Sequence, residues 1–354
     1  MSWTTRAWFL QTPGSPLECR DFDLGEPGPG QAIVQVLACG LCHTDLGYAD
    51  GSVRPNHALP LILGHEVVGT VVAAGPDAQH RVGQPVIVPA VLPCGTCAFC
   101  LAGRGNACPK QTMPGNDDHG GFGTHLKVPV APLVSLAGAP AGFDLRPLAV
   151  VADAVSTAWQ AIRRAGVQAG DAVAVVGAGG VGGYTAQIAK ALGAHVVTCD
   201  VSAQRLSQSR ELGADLVIDV SDKPVKDVRK EVQGFASSVG AGTLNTKIFE
   251  CSGTPAGQSL AFAFLGRGST LVQVGFTPKT VELRLSNLMA FDATVHGTWG
   301  CPPEQYGPVL DLIWQGKVRL DIGLEFAGMS RINELLADMA AHRLQARMVL
   351  DPLR

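Results

Sequence analysis

The sequence has little charge and no strong excess of either sign. Of its 354 residues, 16% are charged, and the formal net charge is -3. Nucleic-acid-binding proteins usually carry clustered basic charge, and disordered chains combine high net charge with low hydrophobicity. Because 46% of the residues are hydrophobic and no acidic or basic tail is present, we expect a globular protein that does not bind nucleic acid.

Targeting signals and membrane-spanning segments are missing from the pattern too. The first ten residues, MSWTTRAWFL, lack a basic head followed by a long apolar stretch, so we expect a cytoplasmic protein. Residues 172–189 carry no charge, but five glycines interrupt this run, and turns explain it better than a membrane span. No internal repeat or low-complexity segment stands out, which excludes a solenoid.

The length suggests two domains, at about 150 residues each. Residues 1–150 contain short apolar runs between Pro/Gly clusters, which predicts a β-rich, barrel-like domain. Its strands are predicted at 6–10, 32–37, 66–72 and 86–88. From about Arg146 the pattern changes to helical spacing, and a helix is predicted over 147–164 with an end at Gly166.

Ten cysteines could form five disulfides, but in a cytosolic chain of this size clustered cysteines more often bind metal or catalyse. Four of them follow the pattern C-x2-C-x2-C-x7-C, namely Cys94, Cys97, Cys100 and Cys108. Four thiolates at this spacing can surround zinc tetrahedrally and leave no position open. The pattern therefore predicts a structural zinc site.

A second metal site is predicted from residues far apart in the sequence. Cys42 and His65 are 23 residues apart in apolar, strand-like sequence, and a catalytic zinc takes three protein ligands with one position left open. The best third candidate is Asp153, alone in an apolar run where burial without a partner is costly. Taken singly, Cys42 is as easily a core thiol and His65 a core histidine with satisfied hydrogen bonds.

The second half of the chain carries a dinucleotide-binding pattern. A predicted strand at 172–176 leads into a G-x-G-x-x-G turn, a helix to Leu192 and a strand at 195–199 that ends at Asp200. Such a turn brings backbone close to a pyrophosphate at a helix N-terminus, and the carboxylate can accept hydrogen bonds from a ribose. The predicted contacts of the turn are Gly177, Gly179, Gly180, Val181 and Gly182.

The cofactor is predicted to be NAD. The charge of Asp200 would repel a 2′-phosphate, and Val201 stands where an arginine would favour NADP. Further strands at 216–219, 247–251, 270–274 and 294–297 complete about six parallel strands. After Trp299, helices at 304–316 and 331–341 and a strand at 347–350 are predicted to return to the first domain.

These motifs together resemble the zinc-dependent medium-chain alcohol dehydrogenase family, over the whole chain and in the family's order. The resemblance implies an α/β protein: a β-rich GroES-like catalytic domain at 1–154 and 298–354, and a Rossmann doubly wound parallel-sheet domain at 155–297. It implies NAD and two zinc ions per chain, a small-molecule alcohol as substrate, no membrane partner, and a homo-oligomer, either a dimer or a tetramer.

Individual roles follow from the same resemblance. Cys42, His65 and Asp153 match the ligands of the catalytic zinc, and the third of these is Cys in many members. Glu66 would lie behind the metal or bind it transiently, Thr44 would receive the alcohol proton, and Asp45 would orient the ligands. On the cofactor side the implied contacts are His43 and Arg347 at the pyrophosphate, Arg205 near the adenosine, and Thr157, Val274 and Trp299 near the nicotinamide.

One residue departs from the family's pattern. Many members carry a histidine five residues after the first zinc-binding cysteine, where it ends a proton relay to solvent. This chain has Gly47 there. Tyr48, His57 or a water molecule could replace the histidine, and the sequence does not choose among them.

Four further segments resemble 6-hydroxycyclohex-1-ene-1-carbonyl-CoA dehydrogenases of anaerobic aromatic degradation: 54–60, 113–117, 284–291 and 299–303. The resemblance implies oxidation of a ring secondary alcohol, next to a conjugated CoA thioester, to the 6-oxo enone, with Trp299 against the ring. Arg54, Arg104 and Lys110 are candidates for the CoA phosphates. The alternative is a simpler cyclic or secondary alcohol without CoA.

Two other classes of protein share part of the pattern. A zinc-ribbon binding module would need only the four cysteines, but it leaves the glycine turn unexplained and lacks basic charge. A dinucleotide-binding structural protein would keep the glycines and lose the metal ligands. The presence of Cys42, His65 and Asp153 favours an enzyme in which zinc activates the alcohol and hydride passes to the nicotinamide in a dry cleft.

Overall fold

The computed structural model describes residues 2–354. Their contacts form two compact units. The first holds the chain up to Asp153 with Gly300–Gly307 and Gly323–Arg354, and the second holds Ala154–Trp299 with Pro308–Ile322. The predicted domains differ from this division mainly at 308–322, and their boundaries stay a prediction. Within the described range, no helix is both long and apolar enough to cross a bilayer.

The N-terminal part consists of short strands, numbered here in chain order: β1 Trp3–Leu10, β2 Glu18–Gly25, β3 Gln31–Gly40, β4 Leu61–Ile62, β5 Glu66–Ala74, β6 Pro85–Val88, β7 His125–Pro129 and β8 Val134–Ser135. Two helices interrupt them, α1 His43–Asp50 and α2 Ala98–Leu101. The predicted strands all form but are longer than expected. Three-residue 3-10 turns lie at Gln79–Arg81 and Gly105–Ala107.

The middle part alternates helices and strands. A 3-10 segment at Arg146–Ala152 precedes α3 Ala154–Ala165, β9 Ala172–Val176, α4 Gly180–Ala191, β10 His195–Asp200, α5 Ala203–Glu211, β11 Leu216–Asp219, α6 Val225–Ser238, β12 Thr246–Glu250, α7 Pro255–Ala263, β13 Thr270–Gln273, α8 Ser286–Phe291 and β14 Thr294–Gly297. The continuous helix predicted over 147–164 is wrong, because Asp153 interrupts it with φ -136° and ψ -68°.

The C-terminal part contains α9 Tyr306–Trp314, β15 Leu324–Gly328, α10 Ile332–Ala340 and β16 Arg347–Asp351, with 3-10 turns at Pro303–Gln305 and Met329–Arg331. β15 and β16 join the sheet of the first unit, whose order is β15-β16-β3-β5-β6-β8 with β7 also paired to β3. A smaller sheet has the order β2-β1-β4. The buried side chains between these strands, among them Phe9, Val34 and Val67, form the core of this unit.

The six strands of the second unit are parallel and have the order β11-β10-β9-β12-β13-β14. This is the doubly wound order in which strand succession reverses beside the first strand, here between β9 and β12. The predicted fold class, a GroES-like unit and a Rossmann unit, is therefore confirmed. In such sheets ligands bind outside the carboxyl ends of the strands at the reversal point.

Candidate active site and metal centres

The four clustered cysteines lie together in one loop region around α2. Their sulfur atoms are 3.5 to 3.9 Å apart in four of the pairs, and all four lie within 4.8 Å of one another. Four sulfurs at a Zn–S distance of 2.3 Å in a tetrahedron are about 3.8 Å apart. The spacing therefore fits a closed, four-thiolate zinc site.

The backbone of this loop favours thiolates. Hydrogen bonds from the backbone and side chain of Thr96 and from the backbone of Cys97 lower the pKa of Cys94 to about 6. The backbone N–H of Lys110 lies 3.3 Å from the Cys108 sulfur. Donors that point at sulfur stabilise the deprotonated form that binds metal, but burial raises the pKa of Cys100 to about 12, so a bound cation is needed to hold all four cysteines as thiolates.

The second cluster forms at the point where the end of β3 lies beside the start of β5. Gly40, the last residue of β3, pairs with Glu66, the first residue of β5, so Cys42 and His65 just beyond these positions come together. A Cβ at Gly40 would lie 2.1 Å from the Glu66 carboxylate, and only glycine fits there. The strand register thus joins two segments that are distant in the sequence.

The donor atoms of Cys42, His65, Glu66 and Asp153 lie within 4.8 Å of one another. The His65 ring is 1% exposed, and neither ring nitrogen makes a hydrogen bond of normal geometry within the described residues. Buried polar atoms nearly always have partners. Nδ1 lies beside Asp45, so Nε2, which has a thiol and two carboxyl groups around it, is the nitrogen that fits a metal ion at this position.

Asp45 connects the two ligand-bearing segments. Its carboxylate accepts from the Cys42 backbone N–H at 2.9 Å and from the Gly64 backbone N–H at 3.2 Å. One of its oxygens lies 3.3 Å from Nδ1 of His65. A carboxylate on the second nitrogen of a ligating histidine fixes the ring orientation. Burial lowers the pKa of His65, but Asp45 and Asp153 outweigh that effect and raise it.

The break in the helix puts Asp153 at the cluster. Its Oδ2 lies 3.6 Å from Nε2 of His65. The preceding carbonyl, that of Ala152, accepts from the Ala90 backbone N–H at 3.0 Å and from the Tyr306 hydroxyl at 2.6 Å. These bonds hold the carbonyl outside a regular helix, and the chain turns at Asp153 as a result.

Arg347 lies against Glu66. The Arg347 Nε donates to one carboxylate oxygen at 3.1 Å, and its terminal nitrogen contacts the other. Burial raises the pKa of Glu66 to about 7, although Arg347 opposes the rise. The guanidinium thus neutralises a carboxylate directly behind the metal ligands, while its contact with a cofactor pyrophosphate stays a prediction.

The glycine turn after β9 is built by close backbone approach. Gly177 has φ +91°, and a Cβ there would lie 2.7 Å from the Ser252 backbone. A Cβ at Gly182 would lie 1.8 Å from the Gly177 carbonyl oxygen. Gly179 is the N-cap of α4, and a Cβ there would be 3.6 Å from the Arg205 guanidinium. A side chain is therefore excluded at Gly177 and Gly182, whereas a Cβ at Gly179 would make only an ordinary van der Waals contact, and the bare backbone fits a phosphate-binding turn.

Asp200 is buried at the end of β10 and already has partners. Its Oδ2 accepts from the Ala178 backbone N–H at 2.7 Å, and its Oδ1 accepts from the Ser202 backbone N–H at 2.8 Å. Each carboxylate oxygen can accept a second hydrogen bond. Asp200 therefore shapes the glycine turn and still has acceptor capacity for a ribose hydroxyl.

The remaining predicted cofactor contacts lie on separate elements. His43 is exposed in the first turn of α1, Thr157 is half-buried on α3, and Val274 directly follows β13. Trp299, 53% exposed, follows β14. Their contacts with a cofactor stay predictions.

Sequence reasoning missed Glu250 at the end of β12. Its fully buried carboxylate accepts from the Ser252 backbone N–H at 2.8 Å and from the Gln273 side chain at 2.7 Å. Ser252 is the residue that packs against Gly177. Glu250 therefore holds the β12 and β13 loops beside the glycine turn, and an acidic residue at the end of an apolar strand was the available signal.

Two family models match the chain. Residues 28–138 match the alcohol dehydrogenase GroES-like domain, and residues 180–315 match the zinc-binding dehydrogenase model. The chain is 32% identical to an alcohol dehydrogenase of Geobacillus stearothermophilus, covering 94% of this chain and 95% of that protein. It is 31% identical to L-galactonate-5-dehydrogenase of Escherichia coli strain K12, covering 84% of each.

A solved structure is similar over nearly the whole chain. Acetophenone reductase from Geotrichum candidum NBRC 4597, in complex with NAD, superposes with a TM-score of 0.84 at 26% identity. The match covers 98% of this chain and 97% of that one. Both units and their order along the chain are therefore shared with these proteins.

Proposed function

The chain belongs to the zinc-dependent alcohol dehydrogenase family, and we propose that it oxidises a cyclic secondary alcohol by hydride transfer to NAD. The observation that carries this proposal is the group of Cys42, His65 and Asp153, in which the fourth donor, Glu66, is already paired with Arg347. Three protein ligands with room for one more group is the pattern of a catalytic zinc. The four-cysteine site, which is closed, would hold a structural zinc.

When bound, zinc would supply Lewis-acid chemistry that lowers the pKa of an alcohol, and NAD would accept the hydride. The chain's own residues would position the alcohol and carry its proton. Thr44 lies at the start of α1 with its hydroxyl 3.7 Å from the Cys42 sulfur, where it can accept a hydrogen bond from the alcohol. Asp45 holds the His65 ring, and Arg347 balances the charge of Glu66.

Gly47, which stands in place of the relay histidine, packs against the loop that follows α1. A Cβ at Gly47 would lie 3.1 Å from a methyl carbon of Val53, and the Val53 backbone N–H donates to the Gly47 carbonyl at 2.9 Å. A side chain there would need Val53 to move by a few tenths of an ångström. The proton must therefore leave by another route than in members that carry the histidine.

For the cofactor we propose a preference for NAD over NADP, carried by Asp200 and Val201. Val201 is 66% exposed beside the buried Asp200 carboxylate. A 2′-phosphate would meet this negative charge without a cation from Val201. Related structures bind either cofactor, NAD in the acetophenone reductase and NADP in a protein of Sinorhizobium meliloti 1021, so the proposal rests on Asp200 and Val201.

The double variant Asp200→Gly with Val201→Arg is expected to move cofactor preference toward NADP by at least about tenfold, the effect of about 1.4 kcal/mol of binding energy. The measurement is the ratio of kcat/KM for NADP to kcat/KM for NAD. Asp200 also binds two backbone N–H groups of the turn, so both efficiencies fall and only their ratio is decisive. Val201→Arg alone is the control and should change the ratio less. Equal efficiency of the native enzyme with both cofactors would contradict the preference.

For the substrate we propose 6-hydroxycyclohex-1-ene-1-carbonyl-CoA or a close analogue. Two of the segments that carry this resemblance, 54–60 and 113–117, lie together in the structure. The His57 backbone N–H donates to the Asn116 carbonyl at 2.7 Å, and the Asn56 side chain donates to Asp117 at 2.7 Å. The two segments form one polar structure, and the first of them follows α1 in the sequence. Their contact supports a shared role in substrate selection.

The CoA proposal predicts a specific loss at Arg54, which is exposed in the first of these segments. Arg54→Ala should raise KM for the CoA ester about tenfold or more, because a charge-assisted hydrogen bond to phosphate contributes about 1.5–3 kcal/mol. KM for free cyclohexenol should not change. Lys226→Ala, an exposed cation of the second unit, is the matched control.

Comparable kcat/KM values for the CoA ester and the free alcohol in the native enzyme would contradict the CoA assignment. The enzyme would then act on a simpler cyclic or secondary alcohol. Zinc and NAD chemistry would be unaffected by that result, since neither depends on the distant phosphates.

A further inference from the structure

Glu250, the last residue of β12, is a buried carboxylate without a cation beside it. The side chain is 0% exposed. One oxygen accepts from the Ser252 backbone N–H at 2.8 Å, from the Ser252 hydroxyl at 2.5 Å and from the Gly253 N–H at 3.2 Å, and the other accepts from the Gln273 side chain at 2.7 Å. All these donors are neutral, and Glu250 forms no ion pair within residues 2–354. Buried carboxylates are usually paired with a cation, so the missing partner needs an explanation.

The contacts of Glu250 fit a charged carboxylate. All four groups donate to it, and an ionised carboxylate only accepts hydrogen bonds. A neutral carboxylic acid would have to donate its own proton, and three of the four partners are N–H groups, which cannot accept it. Glu250 is therefore a fixed negative charge inside the second unit.

This charge lies where a dinucleotide binds. β12 is next to β9 at the reversal point of the sheet, and a dinucleotide crosses this point outside the carboxyl ends of the strands. Asp200, at the end of β10, is the proposed ribose contact of the adenosine half. The nicotinamide half then falls to the strands on the other side of the reversal point, β12 to β14, and Glu250 ends the first of them.

Short contacts join the carboxylate to the loops on both sides. Ser252, which donates to Glu250, packs against the glycine turn, because its backbone would lie 2.7 Å from a Cβ at Gly177. On the other side, a Cβ at Gly275 would lie 2.7 Å from a Glu250 carboxylate oxygen. Gly275 follows Val274, the predicted nicotinamide contact. The negative charge is therefore one residue away from the loop that would hold the nicotinamide.

We propose that the negative charge of Glu250 selects the redox state of the bound cofactor and favours NAD over NADH. The nicotinamide ring is positively charged in NAD, and it becomes neutral when it accepts the hydride. A buried carboxylate nearby stabilises the charged ring and not the neutral one, because charges interact strongly where water is excluded. This inference rests on the proposed function and adds a selectivity of the same site: the charge promotes binding of NAD and release of NADH.

The test is equilibrium binding of NAD and of NADH to the zinc-loaded protein without alcohol, measured by calorimetry. In Glu250→Gln the side chain keeps its shape and loses its charge. We expect the ratio of Kd for NAD to Kd for NADH to rise about tenfold, the scale of one unit charge acting on another inside a protein. A ratio within about twofold of the native value would overturn the inference.

Two variants at Gln273 separate the effect of charge from that of structure. Glu250→Gln combined with Gln273→Glu moves the carboxylate across the 2.7 Å hydrogen bond between these side chains, and the native ratio should return. Gln273→Lys neutralises Glu250 without replacing it, so the ratio should rise even if Glu250→Gln does not fold. A raised ratio in the charge-swapped protein, or a native ratio in Gln273→Lys, would overturn the inference. A native protein that binds neither NAD nor NADH would instead contradict the proposed function.

Discussion

Asp153→Asn is expected to lower kcat at least about a thousandfold, because in the proposed catalytic metal site Asp153 is a negatively charged ligand and the amide is not. The fold should survive. Asp153 follows a 3-10 segment and is 22% exposed. The hydrogen bonds that hold the turn are accepted by the Ala152 carbonyl, not by the Asp153 side chain. The change therefore affects the metal site more than the packing, and the melting temperature should move by only a few degrees.

The measurement combines turnover of a secondary alcohol with NAD, zinc content and thermal unfolding. Asp144→Asn is the matched control: it makes the same chemical change at a carboxylate that is 47% exposed and pairs with Arg146, and it should keep full activity. An Asp153→Asn protein with more than about a tenth of native kcat would contradict the role of Asp153, since a tenfold effect is only about 1.4 kcal/mol.

Cys97→Ser is expected to lower the stability of the fold, whereas Asp153→Asn is expected to lower kcat. The four thiolates would surround a zinc ion with no open position, so the metal would contribute only to stability, and such sites supply folding free energy directly. Cys97 contacts the sulfurs of Cys100 and Cys108 at 3.5 and 3.6 Å. Loss of several kcal/mol should lower the melting temperature by about 10 °C or more.

The protein should also lose one zinc ion per chain, from two to one. Cys19→Ser is the control, because Cys19 is half-buried on β2 and belongs to neither cysteine group nor metal cluster among the described residues. It should retain two zinc ions and the native melting temperature. A Cys97→Ser protein with two zinc ions and unchanged unfolding would show that the loop does not depend on metal.

Most of the Rossmann strands were predictable because they are short apolar runs closed by a glycine or an acidic residue, although β14, with the sequence TVHG, is mostly exposed. The strands at 172–176, 216–219 and 294–297 have the bounds that the pattern indicates. Buried parallel strands need apolar side chains on both faces, so their sequence signal is continuous and local. The four-cysteine group was recognisable for the same reason, since its spacing lies within fifteen residues.

Contacts between distant residues were beyond sequence reasoning. Glu66 and Arg347 are 281 residues apart, and no local pattern pairs them. The interruption of the predicted helix at Asp153 depends on Tyr306, which is 154 residues away from the carbonyl it binds. Helical spacing continues through this region of the sequence, so tertiary hydrogen bonds override the local propensity.

The enzyme is expected to transfer hydride from a secondary alcohol to NAD in a zinc-dependent reaction. The most direct test is the oxidation of cyclohexanol, or of the CoA ester, that carries deuterium on the carbinol carbon, with NAD and zinc-loaded enzyme, followed by mass spectrometry of the NADH. The account predicts one deuterium in the NADH formed by the native enzyme and no NADH from Asp153→Asn. NADH without deuterium, or the same rate of deuterium transfer after removal of zinc from the Cys42, His65 and Asp153 site, would contradict it.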